Sequence, residues 1–219
     1  MLLRNYKSAL LSLAIVSLLG ATAVSTSAEA RERQDRKSSQ KEENRYPDAT
    51  REQPKVKGSP KLQKKLQSMV DAYNKDDFAA ARALADEIIA TEAATAYDRS
   101  VAGQIGSQAA YNTDDTAGTI AYLKRAIEEN ALDNNSHYQL MYMLAGVQLQ
   151  EDQFAEGLAT LDRYFAETKS QKPEDLVLKG QALYQSERYA EAIPVLKQAI
   201  DSSPEPKDNW LQLLMASYA

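Results

Sequence analysis

Few residues in this chain could do chemistry. Cysteine is absent and there is one histidine, His137. Thiol nucleophiles are therefore excluded, and no second imidazole exists to share a metal or to support a Ser–His–Asp relay. Acidic pairs recur at Asp76-Asp77, Asp114-Asp115 and Glu151-Asp152. Paired carboxylates could serve general acid–base hydrolysis, but each pair falls in the turn ahead of a helical pattern. Helix capping and compensation of the helix dipole explain acids at that place. There is no glycine-rich phosphate loop. The inventory argues against an enzyme and implies neither a cofactor nor a metal.

A second pattern suits recognition. Just before successive turns the chain carries Tyr73-Asn74, Tyr111-Asn112, Leu149-Gln150 and Tyr184-Gln185, then Tyr218. Gln104, Gln108, Tyr142 and Gln181 fall in the same helical register. A row of tyrosines alternating with amides suits an extended peptide, because aromatic faces grip side chains while amides pair with backbone. The same residues have a plainer use: tyrosine packs on the next repeat and the amide ends its helix. Both readings stand on the sequence.

The elements that must position this row are clearest in Leu176–Pro204, two short amphipathic helices joined by a turn at Ser186-Glu187-Arg188. Leu176, Gly180 and Leu183 share one stripe, and Tyr189, Ala192, Leu196 and Ala199 share another, at helical spacing. Gly180 and Ala192 are small where two helices must approach closely, and Pro204 stops the second helix. The pattern repeats backwards at spacings of 35, 38 and 38 and forwards at 34, where Trp210 and Leu213 form a W-x2-L opening. These helix pairs resemble the tetratricopeptide repeat (TPR), a unit of roughly 34 residues.

The resemblance implies an all-α fold: a right-handed α-solenoid of TPR-like helix hairpins, four pairs plus the first helix of a fifth, over residues 61–219. It also implies that first helices line a concave groove, which makes the tyrosine–amide row a candidate site for a protein or extended peptide. A carboxylate clamp of the kind that holds chaperone C-termini is not expected, since Leu66, Gln104, Tyr142 and Val177 occupy its key first-helix position. Two residues depart from the pattern. Lys179 stands where first helices are usually apolar, and Pro194 lies inside a second helix, where it removes a hydrogen bond and should bend the axis.

Helix pairs are expected at about 61–74 with 77–90, 94–111 with 115–129, and 136–150 with 153–169, the fourth opening at Pro173. The last expected helix, with Trp210, Leu213 and Leu214, has no second helix after it. A solenoid normally ends in a capping helix with a polar outer face. The expectation is that the natural chain continues past Ala219 or that this helix packs on a partner.

Ahead of the solenoid, Arg4 and Lys7 precede an apolar run from Ala9 to Leu19, followed by Ala28-Glu29-Ala30. That is a secretory signal peptide, residues 1–30, with cleavage near Ala30; the apolar run is short for a membrane anchor. The mature protein is then expected in the periplasm, or secreted, with no stable membrane span. Residues 31–60 read as a disordered basic tether, with almost no aliphatic side chains to offset ordering entropy. From 31 to 65 there are twelve Lys and Arg against six Asp and Glu, net +6, whereas 66–219 carries twelve against twenty-four, net −12. The tether is a solvated linker, or it touches lipid headgroups, an acidic partner or the acidic solenoid. Nucleic acid is disfavoured by export and by the acidic folded part.

In layout the chain resembles exported proteobacterial TPR proteins described as accessory components of TonB-type energy-transduction systems. That resemblance implies partners among the periplasmic parts of an inner-membrane motor complex or an outer-membrane receptor. The expected function is a non-catalytic scaffold; the alternative is an assembly factor or holdase for envelope proteins.

Overall fold

The computed structural model describes residues 43–219; the expected signal peptide and residues 31–42 of the expected tether lie outside the described residues. Nine helices follow one another among the described residues, with no strand. They are α1 (Gln63–Asn74), α2 (Phe78–Ala90), α3 (Ala96–Asn112), α4 (Thr116–Glu128), α5 (Asn134–Gln150), α6 (Phe154–Thr168), α7 (Pro173–Gln185), α8 (Tyr189–Ser202) and α9 (Asp208–Tyr218). Each helix packs on the next in chain order; beyond those pairs, α1 meets α3 and α7 meets α9. Contacts confined to near neighbours define a solenoid of four hairpins and a further first helix.

The helices start where local chemistry favours them. Asp77, Asp115 and Asp133 accept the amide hydrogens of Ala80, Gly118 and Ser136 at 2.9–3.0 Å, satisfying donors that a helix start leaves free. Thr95 and Asp98 form a reciprocal capping box on α3, and Pro173 opens α7. The acidic pairs do more than cap. Asp76, Asp114, Asp152 and Glu187 occupy the left-handed region with φ of 55–59°, one in every hairpin turn. In the third hairpin the cap position is Gln153 and in the fourth Arg188, neither with a side-chain cap bond. Capping thus explains only the second acid of the first two pairs; Asp76, Asp114, Asp152 and Glu187, at positive φ, provide the reversal of chain direction.

Small residues let the hairpins close. A Cβ on Gly103 would stand 2.9 Å from the Tyr122 carbonyl oxygen and 3.0 Å from the Ala126 amide nitrogen, so α3 and α4 meet nearly backbone to backbone. A Cβ on Gly180 would collide with Leu196 of α8. Three apolar clusters run along the array. One spans α1–α4, including Met69, Ile88 and Ile105. The middle one holds Leu123, Tyr138, Met141 and Tyr164. The last joins Leu161, Leu183 and Leu196 to Leu213 and Leu214 of α9. Trp210 is buried, its ring beneath the Lys207 ammonium. Lys179, unexpected in its position, pairs with Asp162 at 2.9 Å and lies over the Phe165 ring. α8 continues through Pro194 as one helix.

The expectation of a disordered tether is corrected for residues 43–60, which run without helix or strand along the solenoid as a strap. The Tyr46 ring meets Tyr138 and Tyr164 edge-on, at centroid distances of 5.0 and 6.0 Å, beneath the Lys172 ammonium. Thr50 donates its amide hydrogen to the Glu167 carbonyl at 2.8 Å. The Ser59 amide donates to both oxygens of Asp98. The strap has no core of its own; it borrows the middle cluster and supplies donors to carbonyls at the ends of second helices, which those helices cannot satisfy themselves.

Candidate functional site

The structure divides the expected row of peptide-binding residues into three groups. Tyr73 and Tyr184 are half-buried and lean on the aromatic residue that opens their own second helix, Phe78 at 5.6 Å and Tyr189 at 5.3 Å between ring centres. Tyr142 is half-buried in the middle cluster, 5.9 Å from the Tyr164 ring. Burial, then the neighbouring Asp175, pushes the Tyr142 phenol far above its ordinary range. Asn74, Asn112 and Gln150 are exposed, each the last residue of its first helix. Gln104, Tyr111, Gln181 and Gln185 are half-buried.

Gln108 must be removed from the accessible set. It is 3% exposed, and its Oε1 has no hydrogen-bond partner among the described residues. It is enclosed because its helix, α3, is buried on nearly all sides over its second half. One direct link joins the row across repeats: Asn112 Nδ2 donates to the Tyr73 hydroxyl at 3.2 Å while also donating to the Gln108 carbonyl at 2.8 Å. The amide therefore both ends its helix and ties the first repeat to the second, which is the structural reading of the row at that place.

A second site, under the strap, was missed by the sequence reasoning. Arg51 donates from Nε to Asn130 Oδ1 at 2.6 Å, from Nη1 to Asn134 Oδ1 at 2.5 Å, and from Nη2 to the carbonyls of Asn130 and Leu132. Asn130 ends α4 in the left-handed region. Asn134 returns a bond from Nδ2 to the Arg51 carbonyl at 3.1 Å, and Asn135 exchanges bonds with the Arg45 amide and Glu43 carbonyl. Burial lowers the Arg51 pKa, and desolvation raises that of Tyr46. Beneath Tyr46, the Tyr164 hydroxyl donates to Asp175 at 2.7 Å, and Ser170 donates to the same carboxylate oxygen. The available signal was Tyr46-Pro47, the one aromatic residue of an otherwise polar stretch.

His137 lies on α5 close to Arg51 and is fully buried, with neither ring nitrogen partnered among the described residues. Desolvation, then Arg51 and Arg163, lowers its pKa from 6.5 to about 3. A neutral imidazole so enclosed has no route to a substrate. Among the described residues, no three His, Asp or Glu side chains gather in a way that could hold a metal ion. What these surfaces offer is amide, carbonyl and aromatic contact, the chemistry of peptide recognition.

An all-α repeat array with such surfaces defines a protein-binding solenoid. The family model of the tetratricopeptide repeat-like domain matches residues 3–217, and the chain belongs to that family. No curated protein matches the chain. Tetratricopeptide repeats bind proteins and peptides, so the class of function is protein–protein interaction. No helix among the described residues is long and apolar enough to cross a membrane.

Proposed function

We propose that this protein is an exported, non-catalytic scaffold that binds an extended segment of a partner along the row of first helices. The observation that carries this reading is the spacing of polar groups: Asn74, Asn112 and Gln150 stay exposed at the same position in three successive repeats. Tyr111 and Tyr184 stand half-exposed beside that line. Repeated amides at a fixed interval can pair with a peptide backbone whatever its sequence, Asn112 through its Oδ1 because its Nδ2 is engaged by Tyr73 and Gln108, and the tyrosines add selectivity. The basic, apolar and small-residue succession of the N-terminus supports export to the periplasm. A partner in an inner-membrane motor complex or an outer-membrane receptor is proposed on the layout's resemblance to accessory TPR proteins of TonB-type systems.

The test is site-specific photo-crosslinking in intact cells, with probes at Tyr111 and Tyr184 and a control at the exposed Lys124 of α4. One discrete partner from the first-helix positions and none from the control is expected. A smear of many envelope proteins would replace the scaffold with a holdase. No adduct at either tyrosine would overturn the peptide-binding role of the row.

A further inference from the structure

We infer that the surface beneath the strap is a second peptide-recognition site, one that reads an aromatic residue five positions ahead of an arginine in an extended segment. The strap is its resident occupant, and a partner segment of the same chemistry takes its place.

Three observations carry this. First, the attachment is specific and is not general charge attraction. The strap carries four Lys and Arg against three Asp and Glu, and none of the ion pairs among the described residues joins it to the acidic solenoid. Arg51 is instead read by two asparagine side chains and two carbonyls in a fixed fork, the directional recognition to which a planar guanidinium is suited. Second, the receiving surface is built from the solenoid. Tyr138 and Tyr164 are almost fully buried, and Tyr164 is held by its bond to Asp175. Third, the attachment is punctuated. Between Arg51 and the Ser59 bond to Asp98, residues 52–57 are largely exposed, and no hydrogen bond ties their side chains to the solenoid. Such a segment lets the Tyr46–Arg51 anchor leave while Ser59 and α1 remain in place.

A foreign segment is favoured over a second copy as the exchanging occupant. The connector is short, so the strap meets its own site at an effective concentration of about the millimolar range. An identical strap from another copy gains nothing over that at ordinary protein concentrations. A partner segment with better side chains around the same Tyr-x4-Arg pair does.

The experiment uses a fluorescent peptide with the sequence of residues 44–52 and the chain carrying Tyr46→Ser with Arg51→Ser, substitutions that leave the receiving surface intact. Helix content from circular dichroism checks that the array persists, and Arg51→Gln alone provides a milder variant that keeps the tyrosine. The doubly substituted chain is expected to bind the peptide about tenfold or more tighter than the unaltered chain does, with Arg51→Gln between them. Peptides lacking the tyrosine or the arginine, or a further Asn134→Ala change in the chain, are expected to lose that binding. Absence of binding by a helical double variant would overturn the proposal. So would equal binding by the unaltered chain, or binding that survives loss of both peptide residues. Light scattering of the unaltered chain is expected to give a monomer; a strap-exchanged dimer would assign the occupant to a second copy and overturn the foreign-partner reading.

Discussion

His137 makes the stability of the middle repeats depend on pH, and the size of the effect follows from its surroundings. It has no exposed surface and no hydrogen-bond partner among the described residues. Arg51 from the strap and Arg163 from α6 oppose a positive charge there, and Asp133 at the start of α5 favours one. Burial dominates, and the imidazole titrates at about 3 in place of 6.5. The folded pKa lies below the unfolded one, so as pH falls the unfolded chain takes up this proton first. The stability is fully present above 6.5 and is lost as pH falls toward 3. One pKa unit corresponds to about 1.4 kcal/mol, so moving to about pH 5 costs roughly 2 kcal/mol.

That pH is chosen because the carboxylates are then quiet. Asp115, Glu129 and Glu191 are all held below their ordinary values, by hydrogen bonds and by the arginines beside them. Their stabilisation begins to be lost below their ordinary values of 3.8 and 4.5 and is gone below the lowered ones, under the window used for His137. The assay is urea unfolding followed by circular dichroism at about pH 7.5 and about pH 5 for the wild type and His137→Leu. The wild type should lose roughly 2 kcal/mol, a fall of about 4–8 °C in Tm, and the variant should lose little. At the higher pH the variant should be no less stable, because it removes two unpartnered nitrogens from the interior. Equal acid sensitivity in both proteins would refute the assignment.

The remaining predictions concern close packing and turns. Gly103→Ala should destabilise by about 1–3 kcal/mol because the new methyl meets the α4 backbone. Gly146→Ala, where a Cβ meets nothing within 4 Å, should stabilise by about 0.5–1 kcal/mol through helix propensity. Paired thermal melts check the opposite signs. Glu187 holds φ of 58° without glycine's freedom, so Glu187→Gly should stabilise by about 1 kcal/mol. A drop in urea midpoint would instead show that the Glu187 side chain contributes to the turn.

Most of the helical architecture was readable because hairpin repeats declare themselves locally. Gly180 against Leu196, Trp210 in its pocket and the opening at Pro173 follow from spacing and residue size alone. The burial of His137, which shares a stripe with Met141, Leu144 and Gln148, all buried, comes from the structure and was left open by the sequence. The turn acids were harder. An acidic pair looks the same whether it caps a helix or reverses the chain, and the turn register decides which residue takes the left-handed position.

The candidate surfaces were legible only in part, for two different reasons. Gln108 lies at helical spacing from Gln104, but α3 packs on α1, α2 and α4 and is enclosed on nearly all sides, so one-face periodicity misplaces it. The strap fails for a deeper reason. Composition measures whether a segment can build a core, and residues 43–60 cannot. It does not measure whether a segment complements a core built elsewhere. One tyrosine inserted beside Tyr138 and Tyr164, one arginine received by Asn130, Asn134 and Leu132, and the hydrogen bonds of Thr50, Asn135 and Ser59 hold the segment in place. The cost of ordering a polar chain is offset at a few points of high complementarity, as it is when a disordered ligand folds onto a partner. A tether of this composition is therefore better read as a ligand in search of its receptor, with the solenoid of its own chain as the first receptor it meets.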